Sequence, residues 1–389
     1  MLLLIFPLPE IISWKIKERK AYRADFVKRE IKGDSLIPYL PNIYYIILDG
    51  YAGERTLKEI YHFDNSEFLD FLKKKGFYVA SQSRSNYCQT MLSLASSLNL
   101  QYLDSLLLPE VLSGEDCTPL QRLMRNNLVF SFLKRYGYTT IAMDASVWEF
   151  VQIKSADEFY HVSPPLLSYF QQTLLELTPL RLLFVLVKRI AGGDLDEYYR
   201  HRKRLLNAFE LVEKIAREKK GPFIFFAHFL MPHQPFVFDR NGNPSHFHPS
   251  AFTIWRVPES PVEKEIYRKG YIEQLIFTNK KVSKMVEQIL KYSKKPPIII
   301  LQADHGPASM LDPYSLERTN INERFYILNA YYLPYGGDSL LYPSISPVNS
   351  FRVIFNHYFG TSLPLLQDRS FYSTWNHPYK FHDVTERLK

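Results

Sequence analysis

Cysteine is scarce in this sequence of 389 residues, which contains only Cys88 and Cys117. Two cysteines cannot build a disulfide framework, and their spacing matches no metal-binding motif. Residues 2–9 are apolar but far too few to span a bilayer, and no basic residue precedes them as in a signal peptide. No zinc finger, Arg/Lys-rich recognition motif or RNA-binding signature is present, so the sequence gives little support to a nucleic-acid partner.

Aromatic side chains and positive charge are abundant instead. The chain has 28 Phe and 27 Tyr, and 46% of its residues are hydrophobic. This composition can build the core of one large domain or of two smaller ones. The formal net charge of +8 suits an anionic partner, such as a phosphate head group or an acidic membrane surface.

The first 40 residues form a basic segment. Residues 15–32 contain eight Lys or Arg and three acidic residues. Such a stretch is typical of the region beside a membrane anchor, and it equally suits a solvated helix. We therefore expect residues 1–40 to be either the end of a membrane-anchor linker or a surface helix, followed by a catalytic domain at residues 41–389.

From residue 41 onward, strand and helix patterns alternate. Apolar runs predict strands at residues 42–48, 77–80, 138–143, 222–229, 297–302 and 325–333. Helical patterns occur at residues 66–75, with Ser66 as the N-cap, and at residues 90–98, 127–136, 199–219, 262–292 and 348–359. This alternation is typical of an α/β fold, with a mostly parallel central sheet and helices on both faces.

One segment breaks the alternation and predicts a helical insertion at about residues 145–220. Its middle part, residues 163–193, is dense in Leu and Phe and is interrupted by prolines. One interpretation is a helix on a membrane surface, with Lys188 and Arg189 at the head groups. A pair of helices packed in the core explains the composition equally well.

Polar side chains follow the ends of three predicted strands. The run PIIILQ ends in Asp304, His305 and a glycine, and the run NIYYIIL ends in Asp49 and a glycine. The third run leads into a loop that contains His233, while Thr90 lies at the start of a predicted helix. Because ligands bind beyond the carboxyl ends of the strands in open α/β sheets, these side chains are candidates for one site.

The chemistry of this set suits attack on a phosphate or sulfate ester. Two carboxylates and an imidazole can hold zinc or manganese. A divalent ion bound to the Thr90 hydroxyl would lower its pKa, and the helix N-terminus there would favour an anion. A further histidine, His233, could hold a phosphoryl oxygen or protonate a leaving group.

Four segments in this order, ILDGY, NYCQTMLSLASSLN, PHQPF and QADHG, resemble the alkaline phosphatase superfamily in its sulfatase-like branch. Within that branch, the sequence resembles the lipoteichoic acid synthases and the lipid A phosphoethanolamine transferases. The resemblance covers residues 41–389 and implies an alkaline-phosphatase-like sandwich. It also implies a membrane-associated, extracytoplasmic enzyme.

The resemblance assigns roles residue by residue. Asp49, Thr90, Asp304 and His305 would hold one divalent metal ion, manganese or zinc, with magnesium or calcium as alternatives. Thr90 would be the nucleophile that carries a phosphothreonine intermediate, and His233 would bind substrate. The substrate would be a phosphoester, carried by a lipid or by a cell-envelope glycan.

Alternative interpretations stay open for this set. Asp49 could simply form a turn, Thr90 could be an ordinary N-cap, and His228 is a packed core histidine in the simplest interpretation. Sulfatases place Pro two residues and Arg four residues after the Cys or Ser that becomes formylglycine, and Cys88 lacks this pattern. A sulfatase-like hydrolase without formylglycine and a non-catalytic binding relative are the alternative functions.

Overall fold

A seven-stranded sheet forms the centre of the computed structural model, which describes residues 40–143, 151–162, 177–179, 182, 197–247 and 256–388. The strands are numbered along the chain, and across the sheet they follow the order β2 (Tyr78–Val79), β7 (Asn329–Tyr332), β6 (Ile298–Gln302), β1 (Ile43–Leu48), β5 (Phe223–Phe229), β3 (Thr139–Met143) and β4 (Glu158–Tyr160). A separate two-stranded sheet pairs β8 (Phe371–Tyr372) with β9 (His382–Asp383).

The sheet is mostly parallel, as predicted. Strand β1 pairs in parallel with β5 and β6, and β3 pairs in parallel with β5 and β4. Strand β7 is antiparallel to both of its neighbours, β6 and β2. Every residue of β1, β5 and β6 is buried, which explains why their sequences are continuous apolar runs rather than alternating ones.

The helices are α1 (Glu54–Glu59), α2 (Ser66–Lys74), α3 (Thr90–Ser97), α4 (Leu103–Leu106), α5 (Pro109–Leu112), α6 (Thr118–Arg125), α7 (Leu128–Arg135), α8 (Glu197–Glu218), α9 (Pro261–Tyr292), α10 (Ile321–Phe325) and α11 (Pro347–Phe359). They cover both faces of the sheet. Tyr44 and Ile46 of β1 share one core cluster with residues of α2, α8 and α9. Ile43 and Tyr45 share the other cluster with residues of α3, α7 and α11. This arrangement confirms the predicted α/β fold.

Most predicted elements lie within two residues of the observed ones, with two corrections. The N-cap of α2 is Asn65 rather than Ser66, whose backbone N–H is bonded to the Asp64 carboxylate instead. The strand expected at residues 325–333 is only the four residues of β7, because α10 includes Phe325, and Tyr326 and Ile327 form isolated bridges with Arg84 and Ala52 instead.

Both ends of the predicted insertion, residues 145–220, belong to the core. Strand β4 extends the central sheet, and Leu205, Ala208 and Val212 of α8 are buried in the core cluster that also contains residues of α9. Residues 1–39 lie outside the described part of the chain, as does nearly all of the apolar stretch at 163–193. Within the described residues, no helix has both the length and the hydropathy needed to cross a bilayer.

Candidate active site

The candidate site lies at the carboxyl edge of the three central strands. In the sheet register, Ile47 of β1 is paired with His228 of β5 and with Gln302 of β6. Asp49 follows Ile47 by two residues, and Asp304 follows Gln302 by two residues. The two acids therefore lie side by side. Asp49, His228 and Asp304 each offer a ligand atom within 4.8 Å of the others, and all three side chains are at most 2% exposed.

Thr90 is the first residue of α3 and points at this edge. Its Oγ1 lies 3.1 Å from His305 Nε2. The N-cap of α3 is Gln89, in extended conformation, and its side chain makes no capping hydrogen bond. The interpretation of Thr90 as the helix N-cap is therefore wrong. Helix α3 is fixed to the site by Ser93, whose hydroxyl donates to the Asp304 carbonyl at 2.7 Å.

The ring of His305 is held in the tautomer that a metal requires. Its Nδ1 lies 2.9 Å from the Gly306 carbonyl oxygen, which can only accept a hydrogen bond. Nδ1 therefore carries the proton, and Nε2 presents its lone pair to Thr90. A backbone carbonyl on the other ring nitrogen is the arrangement that orients metal-binding histidines.

Two carboxylate oxygens face the same nitrogen. Asp49 Oδ1 lies 3.6 Å and Asp304 Oδ2 lies 3.4 Å from His305 Nε2. Both oxygens are buried and accept no hydrogen bond from any described residue. Leaving buried carboxylate oxygens unsatisfied is costly, so the position of these atoms suits the binding of a cation.

The spacing of the four candidate ligand atoms suits a small divalent ion. Ligands about 2.0–2.2 Å from a tetrahedral ion lie roughly 3.3–3.6 Å from one another. The separations from His305 Nε2 to Thr90, Asp304 and Asp49 are 3.1, 3.4 and 3.6 Å. The residues present therefore fit a divalent metal ion held by two carboxylates, one imidazole and one hydroxyl.

A second ligand set, Asp49, His228 and Asp304, is also geometrically possible. We favour the set with Thr90 and His305 because the carboxylate oxygens without a hydrogen-bond partner, Asp49 Oδ1 and Asp304 Oδ2, face His305. His228 Nε2 lies 3.1 Å from the other oxygen of Asp49, Oδ2, and so orients that carboxylate. The sequence did not predict a role in the site for His228, because a histidine within a buried strand is usually a packed core residue.

We expect His228→Ala to weaken zinc binding by roughly 10- to 100-fold, because Asp49 would lose the donor that orients it. Isothermal titration of the purified variant with zinc measures this change. His357→Ala is the control, because His357 is a half-buried histidine of α11 that is bonded to the Tyr335 carbonyl rather than to a residue of the site. Equal zinc affinity in the wild-type protein and His228→Ala would contradict this role of His228.

Burial shapes the protonation of the site. It raises the pKa of Asp304 to about 7, and the neighbouring charge of Asp49 adds to the rise. Burial also raises the pKa of Asp49. It lowers the pKa of His228 to about 4 and that of His305 well below its usual value. The imidazoles are therefore neutral at pH 7, as metal ligation and proton acceptance require.

His233 lies beside the other residues, as the motif order predicted. Its ring centroid is 6.0 Å from that of His305, and its backbone N–H donates to the Asp49 carbonyl at 3.0 Å. Gln274, fully buried in α9, donates to the His233 carbonyl at 2.7 Å. His233 is therefore held against the end of β1 by contacts from two elements.

The two glycines that follow the acids have separate physical reasons. Gly50 has φ of +70°, which other residues rarely adopt, and a Cβ there would lie 3.4 Å from the His233 ring. At Gly306 the limit is space, since a Cβ would lie 2.0 Å from the Glu323 carbonyl oxygen. Each glycine allows two segments of the site to approach closely.

No protein-family model matches this sequence, and no curated protein sequence matches it. Solved structures do match over most of its length. The zinc complex of the C-terminal periplasmic domain of EptC from Escherichia coli is 11% identical with a TM-score of 0.59, covering 92% of this chain and 96% of that domain.

Two further structures extend the comparison. The integral membrane protein EptA from Neisseria meningitidis, a lipooligosaccharide phosphoethanolamine transferase, is 11% identical with a TM-score of 0.54. The match covers 92% of this chain and 62% of EptA. A 2-O GAG sulfatase is 16% identical with a TM-score of 0.52, covering 86% of this chain and 73% of the sulfatase. This chain thus has the alkaline-phosphatase-like fold, as its resemblance implied.

Proposed function

We propose that this protein is a metal-dependent phosphotransferase or phosphohydrolase that cleaves phosphoesters through a phosphothreonine at Thr90. The observation that carries the proposal is the position of the Thr90 hydroxyl, 3.1 Å from His305 Nε2. One oxygen of Asp49 and one of Asp304, neither of which accepts a hydrogen bond from a described residue, face the same nitrogen. Asp49, Thr90, Asp304 and His305 would hold one divalent ion, zinc or manganese.

Thr90 carries out the first step. A bound divalent ion would lower the pKa of its hydroxyl, which loses its proton to solvent. The Thr90 oxygen then forms a bond to phosphorus as the bond from phosphorus to the leaving oxygen breaks. Helix α3 supports this step, because the uncapped N–H groups of its first turn favour the phosphoryl oxygens.

His233 acts in the second step, when water or an acceptor hydroxyl attacks phosphorus and the bond from phosphorus to the Thr90 oxygen breaks, which restores Thr90. Burial lowers the pKa of His233, so it is neutral at pH 7. Its Nδ1 lies 2.5 Å from the Gln234 carbonyl oxygen and therefore carries the proton. The other nitrogen, Nε2, is then the proton acceptor that the attacking hydroxyl needs.

A substrate attached to a lipid or to a cell-envelope glycan is part of the proposal. Its support is the similarity in fold to phosphoethanolamine transferase domains, together with the positive net charge of the chain. The same comparison supports an extracytoplasmic location beside a membrane, because the EptC domain is periplasmic. The basic segment at residues 15–32 and the apolar segment at residues 163–193 would both suit such a surface.

Matched chromogenic esters test the reaction class. We expect the zinc- or manganese-bound protein to hydrolyse p-nitrophenyl phosphate or its diester and to leave p-nitrophenyl sulfate intact. Faster cleavage of the sulfate would favour the sulfatase-like alternative. No turnover of any ester, or of fluorescent phosphatidylethanolamine with an acceptor alcohol, would favour a non-catalytic relative. Transfer of the head group to the alcohol in the last assay identifies a transferase.

A further inference from the structure

Arg324 is a buried cation beside the site that the proposed steps do not use. It lies in the short helix α10, and its side chain is only 4% exposed. Its Nε donates to the Cys88 carbonyl at 2.8 Å, and its Nη1 donates to the Gly306 carbonyl at 2.7 Å. Cys88 lies two residues before Thr90, and Gly306 directly follows His305, so one guanidinium bridges the two loops of the site.

The second loop is also bonded to α10 through its backbone. The Gly306 N–H donates to the Arg324 carbonyl at 2.7 Å, so residues 306 and 324 are linked in both directions. The neighbouring Glu323 is fully buried and accepts from the Met310 N–H at 2.7 Å and from the Tyr61 hydroxyl at 2.7 Å. Hydrogen bonds thus join helix α10 to the segment after His305 and to Tyr61.

The chemistry of arginine suits this position. A planar guanidinium can donate in two directions at once, whereas the ammonium of lysine is a compact point charge. Within the described residues, Arg324 bonds only to backbone carbonyls, so no carboxylate pair neutralises its charge. Its charge also favours the ionised forms of Asp49 and Asp304, since it lowers the pKa of both against the larger effect of burial.

We propose that Arg324 is a positioning residue that clamps the Thr90 loop to the Asp304–His305 loop. The clamp keeps the Thr90 hydroxyl at hydrogen-bond distance from His305 Nε2 and so preserves the spacing of the metal ligands. The proposal rests on the proposed function for the identity of the site, but its effect is on metal affinity and can be measured without turnover.

The chain offers a matched control in Arg352 of α11. This arginine is 2% exposed, and it donates to the carbonyls of Leu100 and Pro364 at 2.6–2.9 Å. It therefore also joins distant segments through backbone carbonyls, and neither Leu100 nor Pro364 belongs to the site. If Arg324 had only a structural role, replacing it would affect zinc affinity no more than replacing Arg352.

Zinc affinity measured by isothermal titration of Arg324→Met, Arg324→Lys and Arg352→Met tests the clamp. We expect Arg324→Met to bind zinc at least about tenfold more weakly than the wild-type protein, with Arg324→Lys in between. Arg352→Met should lower the thermal midpoint and leave the zinc affinity of the folded protein unchanged. Equal zinc affinity in the wild-type protein and Arg324→Met would overturn the clamp.

Gly306→Ala provides a second test should Arg324→Met fail to fold. The added Cβ would meet the Glu323 carbonyl and push the loop away from α10. We expect weaker zinc binding, and unchanged affinity would again overturn the clamp. Wild-type protein that binds zinc but never becomes phosphorylated would contradict the proposed function alone, because the titrations would still decide the role of Arg324.

Discussion

Thr90→Ala should reduce phosphoester turnover by a factor of about 10³ or more, because it removes the nucleophile from the reaction. The fold should survive. Thr90 does not cap α3, and the hydrogen bond that the variant loses to His305 contributes about 1 kcal/mol. Thr90→Ser keeps the hydroxyl and should retain part of the activity.

The decisive measurement is mass spectrometry of protein quenched during turnover. We expect a phosphate on Thr90 in the wild-type protein and none in Thr90→Ala. Zinc should be saturating in both samples, since Thr90 is also a proposed ligand. Thr140→Ala is the control, because it removes another buried threonine hydroxyl, bonded to Asp157, from strand β3 rather than from the site. Turnover that survives Thr90→Ala, or phosphate trapped on another residue, would defeat the mechanism.

The sequence predicted the sheet and the main residues of the site for a clear physical reason. Strands buried on both faces must be apolar throughout, so an acid at the end of such a run marks the edge of the sheet. Asp49 and Asp304 are both placed in this way. The register of β1 with β5 and β6 then brings the strand ends together.

His228 and Arg324 could not be identified in the same way, because their contacts depend on tertiary structure. His228 lies inside a buried strand, and only the sheet register shows that it reaches Asp49. Arg324 belongs to residues 321–325, which have no strong helical pattern, and its two carbonyl partners are 236 and 18 residues away in the chain. No periodicity in a sequence encodes contacts of that kind.

The short elements were the least predictable part of the fold. Strand β4 has only three residues, too few for an alternating pattern to develop. Helices α4 and α5 have four residues each, fewer than the periodicity of a helix needs to become visible. Their conformations follow from packing on neighbouring elements rather than from local propensity.

Asp304→Asn should abolish the stabilisation of this protein by zinc. A ligand that binds only the folded state stabilises it by about 2.7 kcal/mol at a concentration 100 times its Kd. The wild-type protein should therefore unfold at a higher temperature with zinc than with a chelator, whereas Asp304→Asn should unfold at nearly the same temperature in both. Asp368→Asn, which alters a half-buried carboxylate bonded to Ser346 and Asn349, is the control and should keep the response.

In the presence of the chelator, the wild-type protein should be less stable than Asp304→Asn. Asp304 is buried, its Oδ2 accepts no hydrogen bond from any described residue, and it lies beside Asp49, so its charge destabilises the fold when no cation is bound. Because its pKa is raised to about 7, the folded chelated protein binds more protons than the unfolded chain above pH 4. The stability of the chelated wild-type protein should therefore fall as the pH rises towards 7. Asp304→Asn should lack the contribution of Asp304 to this pH dependence.

Zinc affinity should have the reverse pH dependence. Binding requires the ionised form of Asp304, so the affinity should rise with pH and level off above about pH 7. Well below that pH it should fall roughly tenfold for each unit from this group alone, because nearly every molecule must first release a proton. Titrations of the wild-type protein with zinc between pH 5.5 and 8, chosen around this pKa, measure the slope. An affinity that does not change over this range, or equal zinc stabilisation of Asp304→Asn and the wild-type protein, would remove Asp304 from the proposed ligands.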